Sequence, residues 1–159
     1  MENIESFKDR GGWWVVAQFC LLVIALWLPT WDGASAFYNP LHPIRLIGLL
    51  LLLAGMGLLG FAIVTLGPSL TPFPKPRAGA TLHTDGLYGW MRHPIYAAII
   101  LVASGWALSL MSALGVAFVL LLLIFFDQKA RHEERLLREQ FPDYDAYAQR
   151  VPRFVPRIC

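Results

Sequence analysis

Three long stretches of this chain contain no Asp, Glu, Lys or Arg: residues 11–31, 46–74 and 93–126. An α-helix crosses the hydrocarbon core of a bilayer with about 20 apolar residues. Each stretch is therefore long enough for at least one membrane-spanning helix. The composition agrees, since 57% of the residues are hydrophobic and 15% are charged, against about 25% charged in ordinary soluble domains. The sequence predicts an all-α, multi-pass membrane helical bundle, with residues 1–159 as one domain.

The first two stretches each predict one crossing. Residues 13–31 have tryptophans at both ends, where such side chains suit the membrane interface. The basic residues before this stretch and Ala34-Ser35-Ala36 after it also imitate a secretory signal with its cleavage site. The length and tryptophan content favour a retained span. Residues 46–66 form the second predicted span, whose glycines have spacings suited to close helix contact.

The third stretch is too long for one crossing. As a single helix, residues 94–126 would extend for nearly 50 Å at about 1.5 Å per residue. A tight helical hairpin that turns near 109–115 gives two crossings, at 94–110 and 113–127. Helical extension into 88–93 and 127–131 supplies the missing length. The hairpin brings the bundle to four crossings and places both flanking polar clusters on one side of the membrane.

The basic residues predict the orientation of the bundle. Lys and Arg occur in the loop 67–93 and in the tail 128–159, whereas the connection 29–43 has none. By the positive-inside rule, the loop, the tail and both termini are predicted to be cytosolic. If the source is a prokaryote, the membrane is the inner or plasma membrane. Anionic lipid explains the net charge of +2 on that face. No nucleic-acid partner is expected.

Cysteine and histidine give no metal or disulfide signal. Cys20 lies inside the first predicted span, and Cys159 is too close to the end of the sequence for a prenylation box. The four histidines also lack the spacing of metal ligands. We therefore predict no metal site.

A polar cluster precedes the hairpin, in Arg92-His93-Pro94. A proline suits the first position of a helix, which leaves Arg92 and His93 at a helix N-terminus. Free backbone N–H groups and the helix dipole favour an anion there. Tyr88 and Tyr96 add hydroxyls and aromatic faces to the same cluster.

A second polar cluster follows the hairpin. Glu133 and Glu134 lie one turn after Lys129 and Arg131. Together the clusters offer cations for a carboxylate, carboxylates for hydroxyl or ammonium groups, and aromatic faces for a ring or a cation. A zwitterionic cofactor with a ribose and a base would fit this set. The alternative is a solvated helix face with ordinary i,i+4 ion pairs and Arg92 as an interfacial anchor.

Three segments carry a resemblance to a known family. They are ATLHTDGLYGWMRHPIY (80–96), EERLLREQFPDYDAY (133–147) after the apolar hairpin, and RVPRFVP (150–156). The pattern resembles the isoprenylcysteine carboxyl methyltransferase and phospholipid methyltransferase family of integral membrane enzymes. The resemblance implies S-adenosyl-L-methionine as methyl donor and S-adenosyl-L-homocysteine as product. It also implies a cytosol-facing pocket under the hairpin, roofed by a C-terminal amphipathic helix.

The resemblance further implies roles for individual residues. The positions that match cofactor-binding residues are Thr81, Leu82, His83, Tyr88, His93, Pro94, Ile95, Tyr96, Glu133 and Glu134. The candidate catalytic residues are Arg92, Lys129 and Arg131. Lys129 matches a basic residue that holds the substrate carboxylate in the prenylcysteine enzymes. A lysine keeps that charge but lacks the bidentate fork of an arginine, so Arg131 is the alternative.

The predicted activity is methylation of a lipophilic acceptor at the membrane, with an isoprenylcysteine-like or other isoprenoid acid as the favoured substrate. A carboxylate is already ionised and needs no general base, and no acidic residue lies within the apolar stretches to deprotonate an amine or thiol. N-methylation of a phospholipid or lipid amine, S-methylation of a thiol, and a non-catalytic scaffold remain alternatives. Predicted partners are a lipophilic or lipidated substrate and membrane lipids, and the oligomeric state is left open.

Overall fold

The computed structural model describes residues 7, 10–32, 40–75 and 81–155. Within these ranges the secondary structure is helical, without strands, which confirms the predicted fold class. The helices are α1 (Gly12–Trp27), α2 (Pro29–Asp32), α3 (Pro43–Leu66), α4 (Pro94–Ser109), α5 (Ala113–Gln140) and α6 (Tyr144–Arg150). Ala34-Ser35-Ala36 and Cys159 lie outside the described residues.

Three helical segments are long and apolar enough to cross a membrane: Gly12–Asp32, which joins α1 and α2, Pro43–Leu66 and Ala113–Gln140. Large apolar side chains remain exposed on the outside of these helices, as with Trp27 at 65% and Val64 at 78%. An apolar exterior of this extent suits contact with lipid rather than water. The chain is an integral membrane protein. The fourth predicted crossing rests on α4, which is shorter, and stays a prediction.

The predicted hairpin turn lies between α4 and α5. α4 ends at Ser109 and α5 begins at Ala113. The Ser112 side chain caps α5 by accepting a hydrogen bond from the backbone N–H of Gly115 at 2.7 Å. Asp32 accepts hydrogen bonds from the Ser112 hydroxyl and from the Leu114 backbone N–H, which fixes α2 to the turn.

Of the two predicted helix extensions, one differs from the structure and one agrees with it. The predicted extension of α4 into 88–93 is wrong, because only a short 3-10 turn forms at Gly86–Gly89 and α4 begins at Pro94. Proline disfavours the helical conformation for the residue before it, and His93 has φ −126° and ψ 63°. The predicted extension into 127–131 is confirmed, since α5 runs unbroken to Gln140 and includes the predicted amphipathic helix.

Glycines bring α3 and α4 into backbone contact. A Cβ atom added to Gly48 would lie 2.4 Å from a backbone nitrogen of α4, and one added to Gly105 would lie 2.3 Å from a backbone nitrogen of α3. Small residues allow this close approach in membrane bundles. A Cβ added to Gly57 or Gly60 would meet nothing within 4 Å, so only part of the glycine set in α3 serves this interface.

Backbone hydrogen bonds gather the polar segments at one end of the bundle. The N–H groups of Arg92 and His93 donate to the carbonyl groups of Pro152 and Arg153, at 2.9 and 3.0 Å. The segment after α6 therefore lies beside the start of α4. The loop that follows α3 and the last turns of α5 complete the wall of a cavity at this end.

Candidate active site

A cavity of about 440 Å³ lies between α1, the end of α3, the start of α4, α5 and α6. The structure brings together all of the predicted site residues except Arg131 and Glu134. Those that line the cavity are Thr81, Leu82, His83, Tyr88, Arg92, His93, Pro94, Ile95, Tyr96, Lys129 and Glu133.

Glu133 forms the acidic wall of the cavity. Its carboxylate accepts a hydrogen bond from the Tyr96 hydroxyl at 2.7 Å and lies 3.8 Å from Nδ1 of His93. The His93 and Tyr96 rings are stacked, with centroids 5.3 Å apart and planes 3° apart. The Glu133 side chain keeps 26% of its surface exposed, so its remaining acceptor capacity is open to a ligand.

Glu134 has a different environment, although it is the next residue. Its carboxylate accepts hydrogen bonds from Arg92 and Arg153, at 2.9–3.1 Å, and lies 3.2 Å from Nε2 of His93. Only 2% of its side chain is exposed. These hydrogen bonds, together with a second ion pair to Asp127, raise the pKa of the Arg153 guanidinium. Glu134 therefore ties α5 to the start of α4 and to the segment after α6.

Arg92 lines the cavity, but its guanidinium already has partners. Besides Glu134, it donates to the carbonyl oxygens of Ala148 and Val151, at 2.7 and 2.6 Å. These bonds hold the end of α6 against the start of α4. These contacts indicate that Arg92 holds the cavity wall in position.

Lys129 also lines the cavity, and its contacts are with neutral groups. Its ammonium donates to the side-chain oxygen of Gln18 on α1 and to the carbonyl of Pro72 at 3.0 Å, and it lies 5.4 Å from the centre of the Tyr96 ring. Arg131, the predicted alternative, has 60% of its side chain exposed and pairs with Asp127 at 2.6 Å. The structure does not bring Arg131 to the cavity.

Three buried tyrosines add hydroxyl groups. The Tyr147 hydroxyl donates to the carbonyl of Tyr88 at 2.6 Å. Burial raises the pKa of Tyr147 to about 12 and also raises the pKa of Tyr88 and Tyr144. All three hydroxyls therefore stay protonated at neutral pH. The Tyr144 hydroxyl is buried and has no hydrogen-bond partner among the described residues.

Several lining residues did not emerge from the sequence. They include the loop from Ser69 to Pro74, the apolar side chains of Phe19 and Ile63, and Gln18. Gln18 had a readable signal, since it is a polar residue in the middle of the first uncharged stretch. Such residues in membrane helices face the bundle interior and mark functional sites.

No group of three or more His, Cys, Asp or Glu side chains is positioned to hold a metal ion among the residues that the structure describes. His83, for example, pairs its Nε2 with the Ser69 hydroxyl at 3.1 Å. The predicted absence of a metal stays a prediction.

Comparison with known proteins identifies the family. The profile of the isoprenylcysteine carboxyl methyltransferase (ICMT) family matches residues 46–139. The chain belongs to the ICMT family. This confirms the resemblance seen in the sequence and the prediction of an enzyme of the methyltransferase class. The matched range contains α3, α4 and most of α5, whereas α1 and α6 lie outside it.

Several individual relatives align with this chain, each over a different part of its length. Cobalt-zinc-cadmium resistance protein CzcN of Cupriavidus metallidurans is 30% identical over 99% of this chain and 68% of its own length. Nickel-cobalt-cadmium resistance protein NccN of Alcaligenes xylosoxydans is 30% identical over 98% of this chain and 69% of its own. Protein-S-isoprenylcysteine O-methyltransferase B of Arabidopsis thaliana is 35% identical over 70% of this chain and 58% of its own.

The solved structure of the eukaryotic intramembrane Ras methyltransferase ICMT also matches, with a TM-score of 0.72 and 26% sequence identity. The match covers 89% of this chain and 53% of that structure. The chain thus spans about half the length of this solved relative, while nearly all of its own fold has a counterpart there.

Proposed function

We propose that this protein transfers a methyl group from S-adenosyl-L-methionine to a carboxylate on a lipophilic acceptor at the membrane. The main support is one cavity that contains both the carboxylate of Glu133 and the ammonium of Lys129, in a chain of the ICMT family. Its volume of about 440 Å³ lies within the usual range for small-molecule sites, roughly 300–1,000 Å³.

The residues present fit the methyl donor. S-adenosyl-L-methionine carries a carboxylate, an ammonium, ribose hydroxyls and a flat base, and when bound it supplies a methyl group that is already activated on a sulfonium. The start of α4, with Pro94 at its first position, offers free N–H groups to an anion. Glu133 accepts from ammonium or hydroxyl groups. These residues, with the predicted cofactor-binding positions around them, are the proposed donor site.

The other side of the cavity fits a lipophilic acid. Phe19 on α1 and Ile63 on α3 line the cavity, and 57% and 39% of their surfaces are exposed. This apolar side of the cavity is the proposed route by which an acceptor tail enters from the lipid. Lys129 lies deeper and offers its charge to the acceptor carboxylate. The residues here mainly align an already ionised nucleophile and exclude water.

The charge of Lys129 also ranks the alternative acceptors. A protonated amine would be repelled by the buried ammonium, whereas a carboxylate or a thiolate would be attracted. We therefore favour anionic acceptors over lipid amines. Within this proposal the chain acts as a single membrane domain of four crossings, with the site and both termini on the cytosolic side. The distribution of Lys and Arg supports that orientation.

The proposal is tested by calorimetric binding of S-adenosyl-L-methionine and S-adenosyl-L-homocysteine to the detergent-purified protein. We expect micromolar binding that is lost in His93→Ala and Glu133→Ala and kept in Glu139→Ala, which removes an exposed carboxylate from the same helix. A labelled methyl donor then identifies the acceptor among isoprenoid acids, thiols and amines, since only an ester product is base-labile. A folded protein that binds neither compound would overturn the methyltransferase proposal.

A further inference from the structure

Gln18 is a polar residue buried in the middle of an apolar helix. Only 9% of its surface is exposed, and it lines the cavity from α1. Polar side chains are costly within membrane helices and persist mainly where they line a pathway or a site. Gln18 lies outside residues 46–139, which match the family profile. The family match therefore gives this residue no role.

The partner of Gln18 fixes how its amide is turned. The Lys129 ammonium donates to the side-chain oxygen of Gln18 and to the carbonyl of Pro72. A lysine ammonium has only donors, so the amide oxygen of Gln18 must face it and the amide NH₂ is turned away. No described residue accepts a hydrogen bond from that NH₂ group. The cavity wall thus carries two adjacent donors, one from α1 and one from α5.

The charge of Lys129 is only partly compensated inside the protein. Its surface is 1% exposed, and no carboxylate among the described residues forms an ion pair with it. Glu133, one turn further along α5, attracts the ammonium, but its carboxylate is hydrogen-bonded to Tyr96. Both oxygens that Lys129 contacts belong to neutral groups. A buried cation without a directly paired counter-ion is costly, and an anionic ligand would relieve that cost.

We propose that Gln18 and Lys129 form a two-donor seat for the anionic group of the acceptor, and that Gln18 determines specificity for acceptor charge. This rests on the proposed function. Each oxygen of an acceptor carboxylate takes one donor, from the Gln18 amide and the Lys129 ammonium. Because Gln18 is neutral, it orients Lys129 without cancelling its charge. A glutamate at position 18 would supply the counter-ion from within and repel the acceptor.

The test compares an acid with its neutral analogue. Binding of N-acetyl-S-farnesylcysteine and of its carboxamide is measured on the purified protein, with S-adenosyl-L-homocysteine binding measured separately. We expect the wild type to bind the acid at least tenfold more tightly than the amide, as suits hydrogen bonds to a charged group. Gln18→Glu should remove that preference and leave binding of the amide unchanged within twofold.

Two further variants distinguish loss of the two-donor seat from a general effect on the protein. Gln18→Met keeps the charge of Lys129 but removes one donor, so the preference for the acid should fall several-fold without being lost. Gln128→Glu adds the same charge at an exposed site beside Lys129 and should keep the full preference.

Equal binding of acid and amide by the wild type, or an unchanged preference in Gln18→Glu, would overturn the seat. S-adenosyl-L-homocysteine binding distinguishes the two proposals. Either of these results with that binding intact refutes only the seat, whereas absence of that binding from the folded wild type refutes the methyl-donor site. A preference for the acid in the latter case would still support the seat as an anion site.

Discussion

Two buried charged residues on α5 have opposite surroundings. Around Glu134, the guanidinium groups of Arg92 and Arg153 saturate one buried carboxylate and fasten three segments of the chain together. One turn earlier, Lys129 is equally buried but contacts only neutral oxygens. We infer that the fully paired Glu134 stabilises the wall of the cavity, whereas Lys129, which has no ion pair, is available to a ligand. The contrast predicts that mutations in the first region affect folding and mutations in the second affect binding.

The largest expected effect is on the saturated side. Glu134→Gln keeps the volume of the side chain but leaves Arg92 and Arg153 without their shared counter-ion. We expect a loss of about 3 kcal/mol in the free energy of unfolding, at the lower end for breaking a buried ion pair, because Arg153 keeps Asp127 as a partner. Thermal unfolding in detergent measures it, with exposed Glu139→Gln as control. Equal stability of the two variants would contradict the contrast.

Glu133→Gln tests the adjacent carboxylate, which faces the cavity. It should lower the affinity for S-adenosyl-L-methionine by at least tenfold, because one hydrogen bond to a charged group contributes about 1.5–3 kcal/mol. Stability should change little, since Glu133 makes one hydrogen bond to Tyr96 and a longer contact with His93, both at the start of α4. Calorimetry and thermal unfolding on the same sample give both numbers. A variant that is destabilised yet binds normally would reverse the two roles.

Lys129→Met tests the unsaturated cation itself. Removal of a buried charge that is only partly compensated should leave stability unchanged or raise it by roughly 1 kcal/mol. The KM for an acidic acceptor should rise at least tenfold, with the affinity for the methyl donor intact. Lys129→Arg, which keeps the charge, should retain part of the activity. A destabilised Lys129→Met with normal KM would make Lys129 a structural residue.

The smallest effect is expected at the surface. Arg138 pairs with Asp145 at 2.8 Å, and both side chains are largely exposed. Asp145→Asn should cost less than about 1 kcal/mol, because solvent screens an exposed pair. Unfolding measured at low and high salt should show that the small difference shrinks as salt is added. A salt-insensitive loss would mean that the longer contact of Arg138 with Glu134, at 3.9 Å, couples the pair to the buried network.

The hairpin was predictable from the sequence because it follows from length. An uncharged stretch too long for one crossing must turn, and the flanking basic residues place both of its ends on one side. The turn between Ser109 and Ala113 lies within the predicted window. Pro94 likewise marked the start of α4, although the helical extension before it was wrongly expected.

The roles of Glu133 and Glu134 were not predictable, because periodicity gives a residue its face but not its neighbours. Adjacent positions on a helix differ by about 100°, and both carry the same side chain here. Arg153, which decides that Glu134 is the saturated one, belongs to a segment without regular structure. The polar character of Gln18 was visible in the sequence, but its pairing with Lys129 was not. That contact joins residues 111 positions apart, and no local pattern encodes it.

The register of α3 against α4 determines where the start of α4 lies relative to the end of α3. Gly48 lies beside Ser109 and Gly55 beside Val102, so the first turn of α4 is level with the region around Ile63. α3 continues to Leu66, about one helical turn or ~5 Å further. The start of α4 therefore lies about one turn short of the end of α3. The proposed acceptor, if it enters from the lipid side, would therefore reach the cavity beside the last turn of α3 without passing over its end.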